Sequence, residues 1–320
     1  MRLTKRIASG LLLVCVLLAG CTEKHQPVLR IGTNLWIGYE PLYLANDLNY
    51  WDRNKIRLVQ YPSASEVLRA FRNQTLDAAS LTLDEVLQLR QLDIPVTVVL
   101  VHDISHGADA IIAHSDIPSM AQLKGKKIAV ESGALGAYLI TRALEINKMT
   151  VNDIVVSNVD YDGHEKVFLN KEVDAVVTFD PVKSRLIAKG AKQIFDSTMM
   201  PGEIVDVLVV RQDYLNQYPQ NLHMLVDGWF RSLDYIMKYR QDAYARMATR
   251  LQVSPQEVEQ SLKGIQLPDR EMNSNMLSAE GNQLQATAVR LNKVLYDNKL
   301  ISRLVLDHNF MTDQFIRSDQ

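Results

Sequence analysis

The chain has 320 residues, 47% of them hydrophobic and 22% charged, with a formal net charge of −2. Such a composition suits a globular body with one large or two modest cores. The balance of 35 basic against 37 acidic residues excludes the basic surface that binds nucleic acid, and no long basic run follows residue 30.

Residues 1–20 read as a signal peptide that is removed from the mature protein. Arg2, Lys5 and Arg6 give it a positive start, and the apolar stretch 11–18 is too short to span a bilayer. Leu18-Ala19-Gly20-Cys21 has the form of a bacterial lipoprotein cleavage site, in which small residues admit the peptidase and the Cys21 thiol takes the lipid. Diacylglycerol together with an N-acyl (palmitate) chain anchors firmly, since stable anchoring takes more than one chain. Residues 21–27 then form a polar tether. Cys15 leaves with the signal, so the folded body holds no cysteine for a disulfide or a metal. These features imply a lipid-anchored protein on the periplasmic side of the cell envelope. Thr22 stands where lipoproteins kept in the inner membrane usually have Asp, which leaves the outer membrane open as the location.

From residue 29 onward, apolar strands alternate with amphipathic helices, the pattern of βαβ units and a largely parallel sheet. A strand over 29–33 runs into a loop that carries Trp36 and Tyr39, and Pro41 opens a helix over 41–49 with Glu40 placed to cap it. A strand at 56–61 precedes Ser63-Ala64-Ser65 and a helix over 65–73, for which Ser65 is the expected cap. A strand at 78–81, then Thr82 and Asp84 at the start of a helix over 84–92, lead to a β-branched strand at 96–101. In an open α/β sheet ligands lie beyond the carboxyl ends of the strands, so Ser63, Ser65, Thr82 and Asp84 fall level with Trp36 and Tyr39.

The run Ile31-Gly-Thr-Asn-Leu-Trp-Ile-Gly-Tyr-Glu-Pro-Leu-Tyr-Leu-Ala45 resembles the opening of periplasmic solute-binding proteins of the nitrate/sulfonate/taurine and thiamine-precursor type. The resemblance covers residues 28 to about 214. It implies an α/β, type II periplasmic-binding-protein fold: two doubly wound lobes joined by two crossing strands, with a helical C-terminal extension on the first lobe. Lobe 1 is expected from residues 28–105 and 205–320, and lobe 2 from 106–204. His102-Asp-Ile-Ser-His-Gly-Ala-Asp109 looks like the first crossing in this family, with Asp103 and Ser105 facing the cleft and Gly107 giving freedom to bend. His102 and His106 would share a face only on a helix, and no third ligand is apparent, so no metal is expected.

A second βα series follows, with a short helix at 118–123 and a strand at 126–130. Glu131-Ser132-Gly133-Ala134-Leu135-Gly136 delivers a helix N-terminus that runs through Ile146; Ser132 and Gly133 are binding candidates there, and no phosphate-loop Gly-Lys-Ser follows. Strands at 155–159, 175–178 and 192–195 alternate with helices at 164–169 and after Thr178-Phe179-Asp180-Pro181, where Asp180 is the expected cap and a ligand candidate. Residues 205–210 form the return crossing. The remainder is helical, including 219–239, a helix opened by Ser254-Pro255-Gln256-Glu257, and another over 282–296.

No nucleophile elbow, paired cysteines, metalloprotease motif or dinucleotide fingerprint appears, and no cofactor is expected. The resemblance implies the substrate-binding component of an ABC importer, expected as a monomer, that hands a small molecule to a membrane permease. A receptor module read by a membrane sensor, and a pyrimidine-synthase-like enzyme of the same fold, stand as alternatives. Asp84, Asp103 and Asp180 without an Arg or Lys at the junctions point to a neutral, zwitterionic or amine-bearing solute with a flat or apolar part, and sulfonate comes second.

Overall fold

The computed structural model describes residues 26–307 and 309–317. The expected signal peptide, the expected lipidation site Cys21 and most of the expected tether lie outside the described residues.

The chain begins with β1 (Leu29–Thr33), α1 (Glu40–Asp47), β2 (Ile56–Gln60), α2 (Ala64–Arg72), β3 (Ala78–Thr82), α3 (Leu83–Arg90) and the long β4 (Val96–Ser105). It then crosses into β5 (Ala110–Ala113), β6 (Lys127–Val130), α4 (Leu135–Ile146), β7 (Val155–Asn158), α5 (His164–Leu169), β8 (Ala175–Thr178), α6 (Val182–Ala188) and β9 (Lys192–Asp196). It returns through β10 (Val205–Arg211) to α7 (Gln212–Gln217), α8 (Pro219–Lys238), α9 (Arg240–Leu251), α10 (Pro255–Leu262), β11 (Ile265–Gln266), α11 (Arg270–Leu277) and α12 (Gln283–Asp297).

Two sheets result. The first has the order β11-β4-β10-β3-β1-β2, the second β7-β6-β8-β5-β9. β1 pairs parallel with β2 and β3, as two βαβ units demand. The returning β10 inserts antiparallel between β3 and β4, and β5 lies antiparallel between β8 and β9. The sheets are therefore mixed rather than largely parallel, because each crossing reverses the chain. Both crossings are pinned at one point: the Ser105 N–H donates to the Ile204 carbonyl at 3.0 Å, and the Ser105 and Ser197 hydroxyls meet at 2.8 Å. Gly107 turns there with φ +104°, a conformation that glycine adopts without strain.

Several helix starts differ from their sequence expectation. Ser63, not Ser65, caps α2; its hydroxyl accepts the Glu66 N–H. Glu40 does not cap α1. It is buried, and its carboxylate pairs with Arg250 of α9, whose guanidinium also lies 3.6 Å from the Tyr43 ring centre. The helix expected over 118–123 is a short 3-10 turn at Met120–Leu123. The strand expected to end at 101 continues to Ser105 although the apolar run stops at Val101, because β10 and β11 pair with Asp103, Ile104 and Ser105.

Beneath the sheets a continuous apolar core joins residues of both lobes, from Leu29, Phe71 and Val99 to Ile128, Tyr138 and Leu144. A second cluster packs Trp36, Ile37 and Tyr39 against α1, α9 and α10. Among the described residues no helix is long and apolar enough to cross a membrane.

Candidate functional site

A narrow cleft, with a cavity volume of about 40 Å³, lies where the lobes meet. Lobe 1 lines it with Asn34, Trp36, Tyr39, Ala64, Thr82, Glu85 and Asp206, and the other wall carries Asp109, Glu131, Leu135, His164, Thr178 and Phe179. The position follows from topology: the ends of β1 and β3 and the N-termini of α2 and α4 converge there. Gly136 permits the approach of α4, since a Cβ there would lie 3.0 Å from the Glu131 backbone.

The two lobes clasp each other reciprocally across this cleft. Glu131 of lobe 2 accepts the Ser65 N–H at the start of α2, at 2.7 Å. Glu85 of lobe 1 accepts the Leu135 N–H at the start of α4, at 3.1 Å, while its second oxygen takes the Thr82 N–H at 2.9 Å. Each carboxylate thereby satisfies an orphan donor at the positive end of the opposite lobe's helix. Aromatic rings complete the seam: Trp36 meets Phe179 edge-on at 5.3 Å, and Phe179 stacks on Tyr161 at 4.1 Å.

The lining is acidic and buried. Burial, reinforced by the Asp84 charge, pushes the Glu85 carboxyl up to about 8. Burial pushes Asp109 up to about 6 and raises Glu131, and burial with the neighbouring Asp103 holds Asp206 well above the ordinary carboxylate range. The Tyr39 hydroxyl donates to one Asp206 oxygen. Among the described residues no Lys or Arg lines the cleft. Burial lowers His164 to about 4, so it stays neutral, within 3.0 Å of the Val159 carbonyl and 3.3 Å of the Thr178 hydroxyl. Among the described residues no group of His, Cys, Asp or Glu is arranged to hold a metal ion.

Of the residues singled out from sequence, the structure brings Trp36, Tyr39 and Thr82 to the cleft. Ser65 and Gly133 face each other at its rim, a Cβ on Gly133 falling 3.1 Å from the Ser65 hydroxyl. The others stand elsewhere. Ser63 is buried as a helix cap, and Ser105 is spent on the crossing. Asp84 is buried outside the lining, its carboxyl raised to about 6 by burial. Asp103 lies behind the aromatic floor, where it accepts the Trp36 indole N–H at 2.9 Å. Ser132 does not cap α4; its N–H donates to Asn158 at the surface, at 3.0 Å, and Glu85 fills the capping role from across the cleft. Asp180 accepts from the Ser184 N–H at 3.0 Å and pairs with Lys183 at 3.2 Å, on an outer groove shared with Ile37 and Ser261. His102 is buried between the Tyr39 and Trp229 rings, 3.0 Å from the Ser80 hydroxyl.

Sequence reasoning passed over Glu85, Asp109, Glu131 and Asp206. Two of them carried a signal. Thr82-Leu-Asp-Glu85 is a capping-box spacing, and Asp206 interrupts the otherwise apolar strand Val205–Val210, which marks a buried charge with a task.

Two α/β lobes, two crossing strands and one shared cleft define a protein of the type II periplasmic-binding-protein fold. The chain belongs to the NMT1-like family, matched over residues 22–252. It is similar in structure to the alkanesulfonate-binding protein SsuA from Xanthomonas axonopodis pv. citri bound to MOPS, with a TM-score of 0.72, 20% identity, and coverage of 89% of this chain and 96% of that one. It is also similar to the desulfurization enzyme DSZB, with a TM-score of 0.66, 17% identity, and coverage of 90% and 97%. At these identities the likeness establishes the fold. A putative binding protein of Brucella abortus is 36% identical over 75 residues, which span 23% of this chain and 24% of that relative's length.

Proposed function

We propose that this protein is the substrate-binding component of an ABC importer, held on the periplasmic side of the envelope by lipid on Cys21. The observation that carries the reading is the cleft walled by both lobes, with Glu131 and Glu85 each docked on the other lobe's helix. A solute enters between separated lobes and lies against Trp36 and Tyr39. Closure then brings the carboxylates onto the helix ends, and a permease reads the closed form. Closure of this kind is a population shift driven by tighter binding to the closed state. Thr82, Ser65 and Gly133 join Trp36 and Tyr39 as the contact set; Ser63, Asp84, Asp103, Ser105, Ser132 and Asp180 leave it.

The fold it shares with DSZB makes turnover the decisive alternative. Thermal unfolding of the purified protein is measured against amines, pyrimidines, sulfonates and nitrate, and bound solute is then recovered and identified. A true ligand at about a hundred times its Kd adds roughly 2.7 kcal/mol of stability. Recovery of unchanged solute supports a binding protein, and conversion to product overturns it.

A further inference from the structure

Four carboxyl groups line the cleft, from Glu85, Asp109, Glu131 and Asp206, without a cation among the lining residues. Two of them are occupied: Glu85 and Glu131 accept the backbone N–H groups at the starts of α4 and α2. Those helix ends are where an anionic solute would bind in a fold of this kind, since free N–H donors and the positive dipole favour negative charge. Here the protein's own carboxylates fill them.

The other two carboxyls are incomplete. Asp206 is 3% exposed and Asp109 2%. One Asp206 oxygen accepts the Tyr39 hydroxyl, but its second oxygen has no hydrogen-bond partner, and one Asp109 oxygen has none either. Lys183, the cation near Asp109, is committed to Asp180 and to the Gly107 carbonyl at 3.0 Å. A buried carboxyl oxygen without a partner is costly, and a partner that brings both a positive charge and N–H groups removes that cost by favouring the ionised, hydrogen-bonded carboxylate. Trp36 and Phe179 present ring surfaces and edges beside it, and aromatic faces attract cations as well as carbon.

We propose that the cleft takes an organic cation, a solute whose protonated nitrogen donates to the free oxygens of Asp206 and Asp109 while its carbon frame packs on Trp36 and Phe179. This inference rests on the solute-binding reading and names its ligand class. An anion of the sulfonate type has neither a cation to meet nor a free helix end to enter.

The test uses three flat probes that differ in one group: benzylamine, benzyl alcohol and phenylmethanesulfonate, each titrated calorimetrically into the purified protein. Benzylamine is expected to bind at least about tenfold more tightly than the other two, the range of a charge-assisted hydrogen bond. Asp206→Asn and Asp109→Asn each keep the shape of the site and are expected to weaken benzylamine by at least about tenfold while leaving any alcohol binding within about twofold. Melting of each empty variant reports folding, and either variant alone suffices for the comparison. The proposal is overturned if the alcohol or the sulfonate binds as tightly as the amine, if none of the three binds, or if both variants hold benzylamine as the parent does. Sulfonate bound and recovered unchanged would sink the cation while leaving the binding-protein reading intact; a probe converted to product would sink that reading instead.

Discussion

Trp36 owes its place in the cleft wall to two neighbours that never touch the cavity. Asp103 holds its indole N–H, and Gly38 leaves room for that bond. A Cβ on Gly38 would fall 1.8 Å from the Asp103 carboxylate and 2.5 Å from the indole nitrogen. Gly38→Ala is therefore expected to drive the two groups apart and to cost about 2 kcal/mol, the range of an overpacked core position, by denaturant titration. It should also weaken solute binding, because the displaced ring no longer meets Phe179. An unchanged denaturation midpoint would show that the loop accommodates the methyl group freely. At this scale the sequence put Trp36 and Tyr39 in a βα turn, and the structure brings both to the cleft. It did not show that Asp84, Asp103 and Asp180 stand outside the cleft lining. A carboxylate near a helix start caps or buries as readily as it binds, and only its partners decide which.

The elements show how the crossing strand is protected. β4 stands next to the end of its sheet, and the two-residue β11 covers just the Ser105 and Ile104 end of its outer side. Exposed edge groups invite pairing with other chains. Below β11 the edge is closed by a side chain: Asn273 of α11 accepts the Val101 N–H at 2.8 Å and donates to the Val101 carbonyl at 3.1 Å, as a strand residue would. Further down, the Val98 N–H donates to the Phe310 carbonyl at 2.8 Å, and the Thr312 N–H returns a bond to the Val98 carbonyl at 3.0 Å. Asn273→Ala leaves both Val101 groups buried and unpaired, with an expected loss of about 3 kcal/mol in chemical denaturation. A loss below about 0.5 kcal/mol would mean that water or a shift of α11 replaces the amide. Nothing in the periodicity of α11 distinguishes Asn273 from a surface residue; its role exists only because α11 lies across a strand 172 positions away.

The whole molecule is closed by groups that resist ionisation. Burial holds both Glu85 and Asp103 near 8, well above their values in an unfolded chain. A group raised in this way stabilises the fold at low pH, and that contribution is lost as pH rises through its folded value. The empty protein should therefore lose stability as pH rises from about 4 to about 8, by on the order of 1 kcal/mol per pH unit for each group, and level off above that. His102 acts in the opposite sense: burial lowers it to about 3, so acidification below about 6.5 favours the unfolded chain, which takes up the proton. Below about pH 6.5 the two effects oppose each other, so melting temperature is read between about pH 6.5 and 8, where only the carboxyls contribute, and Glu85→Gln is expected to make that fall shallower. A fall of unchanged slope in that variant would remove Glu85 from the account.

The sequence by itself determined the alternation of strands and helices and the aromatic turn, because each is a local pattern of period, cap or ring that short stretches of chain specify; the two crossings were implied by the family resemblance. Only the tertiary structure decided which carboxylates face the cleft. Glu85 and Glu131 reach helices of the opposite lobe, and Asp206 comes back to Tyr39 from 167 residues away. Distances of that kind are set by how the sheets close on each other, and no single stretch of sequence records them.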